Sequence, residues 1–288
     1  MMEIELHVPE PYDFLGCVRG HGWIALDPFA PTERGFARVE RLSSGRVVLV
    51  DVSAEPADAR VVVRGRAHGR LAAAEVEEVR SKLRWMLRLD EDLSEFYRLC
   101  AERRDGYMTA VGRGRLLRSP TLFEDAFKVI LTTNTTWTQT KLMVRRTVQA
   151  LGVPWPDDPS RRSFPTPDAI LAAGERFFRE EARLGYRVRA VLELAERADE
   201  LERLKEEPLP TVELRRRLLS YRGIGPYGAA TLLTLLGRYD DLAIDSEMRA
   251  FAARKYFGGR KPTDAEIRAL YASWGRWKSL GYWLDSLD

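Results

Sequence analysis

Through its first 65 or so residues the chain alternates polar and apolar side chains with a period of two. Glu3-Ile4-Glu5-Leu6-His7-Val8, Phe36-Ala37-Arg38-Val39-Glu40-Arg41-Leu42 and Arg46-Val47-Val48-Leu49-Val50-Asp51-Val52 all carry the pattern. Ser43-Ser44-Gly45 separates the last two as a hairpin turn, and Arg60-Val61-Val62-Val63-Arg64-Gly65 is a further short strand. This predicts an antiparallel sheet with one covered face. Near residue 72 the period changes. Val76, Val79, Leu83 and Met86 fall at helical spacing within an Ala-, Glu-, Leu- and Arg-rich stretch over 72–89. Helices are then predicted over 92–103, 120–132, 137–151, 167–174, 187–203, 211–220, 226–237, 245–257 and 263–285. Pro154, Pro156, Pro159, Pro165 and Pro167 mark a loop and then a helix start. There is no internal repeat. The expected fold class is α+β: an N-terminal antiparallel β domain over residues 1–88, then an all-α domain over 89–288.

Composition narrows the function classes. The 288 residues have room for about two domains. With 45% hydrophobic and 31% charged residues, a soluble globular protein with a sizeable core is expected. No apolar run reaches the roughly 18 residues of a membrane helix. Met1-Met2-Glu3-Ile4-Glu5 lacks the basic and apolar regions of a signal peptide, so a cytoplasmic location is expected. Cys17 and Cys100 cannot form a disulfide framework or ligate an iron–sulfur cluster. His7, His21 and His68 all lie in the first quarter, which removes a histidine base from the rest. The net charge of +3 does not by itself indicate nucleic acid. Basic charge is nearly all Arg, with Lys only at positions 82, 128, 141, 205, 255, 261 and 278.

The most informative stretch is Leu218-Leu219-Ser220-Tyr221-Arg222-Gly223-Ile224-Gly225-Pro226-Tyr227-Gly228. A basic helix ends, Gly-Ile-Gly turns tightly, and Pro226 opens a new helix. Glycines allow close backbone approach, and unpaired N–H groups at a helix start suit an anion such as a DNA phosphate. An ordinary helix–turn–helix corner would have the same Gly-x-Gly. Asp245 follows Gly225 by twenty residues, after the apolar pair Ala243-Ile244, at the start of the next helix. Asp is a favoured N-cap, and that role is compatible with a functional carboxylate.

This arrangement resembles the signature of the helix-hairpin-helix DNA glycosylase superfamily, which includes 3-methyladenine DNA glycosylase II and the 8-oxoguanine glycosylases. The likeness extends along nearly the whole chain in the family's order. Phe127-Lys128-Val129-Ile130-Leu131-Thr132-Thr133-Asn134-Thr135-Thr136 is similar to the 8-oxoguanine enzymes' segment whose Asn enters the base stack. Leu184-Gly185-Tyr186-Arg187-Val188-Arg189-Ala190 is similar to their wedge segment. Members of both branches also begin with a β domain.

The resemblance implies base excision repair on double-stranded DNA by a nucleoid-associated monomer, with the active cleft between helical subdomains. A damaged nucleotide is flipped out and its glycosidic bond cut. Tyr186 would wedge into the duplex, with Asn134 and Arg187 against the base left behind. Gly223, Gly225 and Gly228 would grip a phosphate through their amides. The carbonyls of Leu219, Tyr221 and Ile224 would hold a Na+ or K+ ion; no other cofactor is required. Asp245 would stabilise the positive charge that builds on the sugar and would orient water. Bifunctional members carry a Lys two residues after the second hairpin Gly. Here that position is Tyr227, and no Lys occurs between Lys205 and Lys255. The expectation is therefore a glycosylase without lyase activity. An aromatic residue at 227 also matches the alkylation-repair branch, since electron-rich rings suit a cationic 3-methylpurine or 7-methylpurine. Trp277, Tyr282 and, more remotely, Trp137 are further base-pocket candidates; Tyr282 takes the place of the 8-oxoguanine enzymes' Gln. The alternatives are a glycosylase for oxidised or deaminated purines such as 8-oxoguanine, and a helix-hairpin-helix protein that binds DNA without catalysis.

Overall fold

The period-two segments pair into one five-stranded antiparallel sheet, in a computed structural model that describes residues 2–57, 60–103 and 110–287. Its strands are β1 (Met2–Leu6), β2 (Ala30–Thr32), β3 (Gly35–Arg41), β4 (Val47–Ala57) and β5 (Arg60–Ala67), in the order β1-β5-β4-β3-β2. The β3–β4 register sets Phe36, Arg38 and Glu40 opposite Val52, Val50 and Val48, so these share one face with Ile4, Leu6 and Val63. Helix α1 spans Phe14–Arg19, and α2 (Ala73–Met86) lies over this face. A Cβ on Gly65 would come within 2.5 Å of Leu83, so only glycine lets the strand and α2 approach this closely.

The chain divides into two compact units. The first comprises Met1–Glu91 and Val111–Glu202, the second Asp92–Ala110 and Arg203–Asp288. The first unit therefore includes the sheet and several of the helices. Its remaining elements are α4 (Leu122–Thr132), α5 (Trp137–Leu151), β6 (Pro154–Trp155), β7 (Asp158–Arg162), α6 (Pro167–Glu180), α7 (Val188–Glu196) and α8 (Ala198–Arg203), with α3 (Ser94–Ala101) belonging to the second unit. Every residue from Leu122 to Leu131 of α4 is buried. Glu124 of this helix accepts from Arg38 at 2.9 Å and from Lys128 at 2.6 Å, and Arg38 also pairs with Glu40. Burial alone would raise the Glu124 carboxyl. Arg38 and Lys128 outweigh it and hold the group well below the usual carboxylate range.

The proline-rich stretch is not simply a loop. β6 and β7 pair antiparallel, and Trp155 packs against Ala37, Val39 and Leu49 on the second face of the sheet. That face is therefore partly covered too. A two-stranded edge tolerates prolines because it can leave N–H positions unpaired. Two predicted helices are also subdivided, and the one predicted over 167–174 is longer. Residues 187–203 break at Arg197, and α6 runs on to Glu180 across Gly174 at φ +69°. The predicted 263–285 helix is α12 (Asp264–Leu270), a 3-10 turn over Ala272–Trp277, and α13 (Lys278–Asp285), separated at Gly275 with φ +57°. These two glycines adopt the left-handed region that interrupts a helix.

In the second unit α3 joins α9 (Thr211–Leu218), α10 (Pro226–Leu235), α11 (Ser246–Tyr256), α12 and α13. Phe96, Tyr239, Trp274 and Trp277 form its aromatic core. Asp241 accepts from Arg215 on α9 at 3.0 Å and from Arg268 on α12 at 2.7 Å, tying these helices together. Among the described residues no helix is long and apolar enough to cross a membrane.

Candidate active site

The hairpin of the second unit forms as its residues dictate. α9 ends at Leu218, and the Ile224 N–H donates to the Tyr221 carbonyl at 3.1 Å. Gly223, at φ +82°, supplies the left-handed step that closes the turn. Gly225 is the N-cap of α10, and Pro226 follows it in the first turn. A Cβ built at Gly225 would meet nothing within 4 Å, so the helix start is open to an approaching group. Gly223 and Gly225 are exposed, whereas Gly228 is buried inside α10. Of the three carbonyls expected to face a cation, that of Tyr221 already accepts the turn hydrogen bond. A carbonyl oxygen has a second lone pair, so this all-oxygen set still suits a hard ion.

Asp245 is the N-cap of α11: its Oδ1 accepts the Met248 N–H at 2.8 Å. The other oxygen makes no hydrogen bond to a described residue. The carboxylate is half-buried. Thus the cap fixes the side chain while one oxygen stays available. Tyr282 of α13 lies in the same neighbourhood. Burial raises its phenol pKa well above the ordinary value, and the charges of Asp245, Glu247 and Asp285 and the ring of Tyr227 raise it further. Tyr282 is therefore a neutral hydroxyl at any physiological pH. Its ring meets Phe251 at 5.9 Å and Tyr271 at 5.8 Å, edge to face in both cases. Tyr282 thus packs on the helix that Asp245 caps and lies within electrostatic reach of Asp245 and Tyr227, all far apart in sequence.

Trp277 is placed differently from the expected pocket lining. It is 6% exposed, stacked on Tyr239 at 5.5 Å and packed against Phe96 at 5.7 Å, so both its neighbours are core rings. Trp137 belongs to the first unit, where it is 40% exposed at the start of α5 and lies over Gly22. Within the second unit Trp277 thus packs in the aromatic core and not in the Asp245 group. Residues that sequence reasoning passed over do join it: Glu247, Phe251 and Asp285. Glu247 and Phe251 are four apart on α11, and i,i+4 spacing puts them on one face. That spacing was the available signal; Asp285 gave none.

In the first unit the loop after α4 carries Asn134 in the left-handed region, at φ +46°, which Asn tolerates better than most residues. Its side chain donates to the Tyr186 hydroxyl at 3.2 Å. Tyr186 is 65% exposed, the largest exposure of any aromatic side chain described as exposed here. Arg187 is buried, contrary to a base-reading role in this conformation. Its guanidinium donates to the carbonyls of Thr133, Asn134 and Leu184, and lies 4.5 Å from the Tyr186 ring centroid. Arg187 thus braces the loop and the ring from beneath, and Asn134 and Tyr186 form the presented surface.

Neither a family model nor a curated protein matches this sequence. Solved structures do. A 3-methyladenine DNA-glycosylase from Archaeoglobus fulgidus has a TM-score of 0.75 at 25% identity, covering 99% of this chain and 97% of its own. MBOgg1 in complex with a low affinity DNA ligand has a TM-score of 0.71 at 17% identity, covering 99% and 96%. An 8-oxoguanine glycosylase/lyase from Clostridium acetobutylicum, in its apo form, has a TM-score of 0.70 at 16% identity, covering 98% and 95%. The chain therefore has the α+β fold of these glycosylases over almost its entire length.

Proposed function

We propose that this chain, which shares the fold of the helix-hairpin-helix DNA glycosylases, is itself a DNA glycosylase that releases a damaged base by hydrolysis. The observation that carries the reading is Asp245, a half-buried carboxylate fixed as the cap of α11 with its second oxygen free, on the helix against which Tyr282 packs. Cleavage of an N-glycosidic bond builds positive charge on the sugar. A fixed carboxylate stabilises that charge and can direct water to it. A DNA-binding protein without catalysis has no need of such a group.

No lysine stands at the hairpin position that an amine nucleophile would take. The lysines of the second unit are 205, 255, 261 and 278, and Lys255 is tied to Asp285 at 2.9 Å. Tyr227 occupies the position where an amine nucleophile would stand in a bifunctional enzyme. Hydrolysis then proceeds by water alone, without a Schiff base. Borohydride added during turnover on a lesion-containing duplex will trap no covalent protein–DNA adduct, and strand breaks will appear only after alkali. A trapped adduct would overturn the water-only mechanism.

The aromatic and carboxylate character around Tyr282 favours a base that already carries positive charge, so an alkylated purine of the 3-methyladenine type is the proposed substrate. Such a base departs readily and asks little acid catalysis. A neutral oxidised purine would call for a hydrogen-bonding reader instead, and Tyr282 offers a single hydroxyl. The oxygen set of Leu219, Tyr221 and Ile224 would hold a monovalent cation beside the hairpin amides, adding positive charge where a phosphate binds.

Tyr186 and Asn134 would fill the space a flipped nucleotide vacates. Tyr186→Ala will weaken binding to lesion-containing duplex by about 1–3 kcal/mol, the usual value of one aromatic–base stack. Fluorescence anisotropy measures this directly; unchanged affinity and rate would remove Tyr186 from the wedge role.

A further inference from the structure

We propose that Asp285 is a positioning residue of this site: its carboxylate locks the register of α13 against α11 and thereby holds Tyr282 in place on the helix that Asp245 caps. The inference rests on the glycosylase reading. Asp285 is only 2% exposed. Its Oδ2 accepts from the hydroxyls of Tyr256 at 2.6 Å and Tyr271 at 2.7 Å, and its Oδ1 faces Lys255 Nζ at 2.9 Å. Lys255 also donates to the Asp285 carbonyl at 3.1 Å.

These donors come from two directions. Lys255 and Tyr256 form the last turn of α11, and Tyr271 caps the end of α12. One turn before Asp285 on α13, Tyr282 meets Phe251, one turn earlier on α11. The two helices therefore run in the same direction here, with two contact points about a turn apart. The far end of the same helix α11 begins at Asp245. The ring–ring contact at Phe251 is apolar and tolerates sliding. The carboxylate contacts are directional and do not. Buried ionic groups are best attested as register devices of this kind. A slip of one turn is about 5.4 Å, enough to carry Tyr282 off Phe251 and change its place along the helix that Asp245 caps.

The test uses the full chain carrying Asp285→Asn, Tyr282→Ala or both. Single-turnover base release and duplex affinity are measured well below the melting temperature. Asp285→Asn should slow release by about 10- to 100-fold, as sub-ångström to ångström misplacement does, with duplex affinity held. In the Tyr282→Ala background the same change should add almost nothing, because the ring that Asp285 places is already gone. Multiplicative losses in the double variant would overturn the inference and leave Asp285 a folding residue only. Should Asp285→Asn fail to fold, Tyr271→Phe and Tyr256→Phe each remove one donor while keeping the ring, and must show the same non-additivity. An activity-independent arm uses tyrosine labelled at Cζ for NMR. Asp285→Asn should move and broaden the Tyr282 signal; an unmoved signal would overturn the lock. If the wild-type chain releases no base from any duplex, the glycosylase reading falls, and the NMR arm decides the lock alone.

Discussion

Asp245→Asn will reduce base release by at least about 100-fold, the scale on which one preorganised electrostatic contact acts in a transition state. Duplex affinity and the melting temperature will stay close to wild type. The substitution separates two roles held by one side chain. As the N-cap of α11, Asp245 accepts the Met248 N–H at 2.8 Å, and Asn serves as a cap as well as Asp does. The fold is thus preserved and only the charge is lost. The oxygen without a partner is the one that would face the sugar, and an amide cannot stabilise a developing cation there. Release measured under single turnover checks this. Undiminished release in a folded variant would mean that Asp245 is a cap and nothing more, and the reaction would need another carboxylate.

Glu124→Gln will produce the largest stability loss, about 3–5 kcal/mol, because it leaves buried Lys128 without its ion-pair partner and buried Arg38 with Glu40 alone. Arg38 and Lys128 both depend on this carboxylate, at 2.9 Å and 2.6 Å. Its loss also disconnects the sheet from α4, the fully buried helix that leads into the Asn134 loop. At roughly 2–4 °C per kcal/mol, the melting temperature should fall by on the order of 10 °C. The pH dependence has a defined sign. The Glu124 carboxyl is held low in the fold, so its contribution is full above the ordinary carboxylate value near about 4.3. It is lost as pH falls below that value toward the lowered one. Wild type should therefore lose stability on acidification more steeply than Glu124→Gln. Calorimetry between neutral and acidic pH measures both effects. Equal pH slopes for the two proteins would show that the buried network does not depend on the Glu124 charge.

Much of this architecture was legible in the sequence where one periodicity ruled. The period-two segments became β1, β3, β4 and β5, because alternation is what a half-covered antiparallel sheet requires. α5 matches its predicted span of 137–151, since Thr136 caps it and its apolar residues keep helical spacing. The failures occurred where local signals compete. Pro154 and Pro159 argued against strands, yet Trp155 gains enough by covering Ala37, Val39 and Leu49 to hold an edge hairpin together. The sequence reading ends a helix at Gly174, yet helix resumes beyond it to Glu180, whereas it runs straight through Gly275, where the helix breaks. β2 and α1 are short, at three and six residues, and carry too few positions to show a period.

The candidate site divides in the same way. The turn at Gly223, the helix start at Gly225 and the cap at Asp245 were readable because such features leave marks at fixed spacing. Tyr227 and Tyr282 were singled out through resemblance, as was Trp277, and a Trp lining a pocket and a Trp in a core look alike in one dimension. The Trp277 ring is stacked on Tyr239. Arg187 was read as a base contact, but three backbone carbonyls hold it beneath the loop. Backbone acceptors carry no residue identity, so no sequence pattern announces them. Asp285 was invisible for a related reason: its donors lie on α11 and at the end of α12, and only the packing of three helices joins them.

The central claim, hydrolytic release of a cationic alkylated purine, is tested most directly with the wild-type chain and a panel of duplexes. The panel contains methylated DNA, 8-oxoguanine, hypoxanthine and uracil, each assayed with and without alkali. The account predicts release of methylpurines and strand breaks that require alkali. Release of 8-oxoguanine in preference to methylpurines, or strand cleavage without alkali, would contradict it.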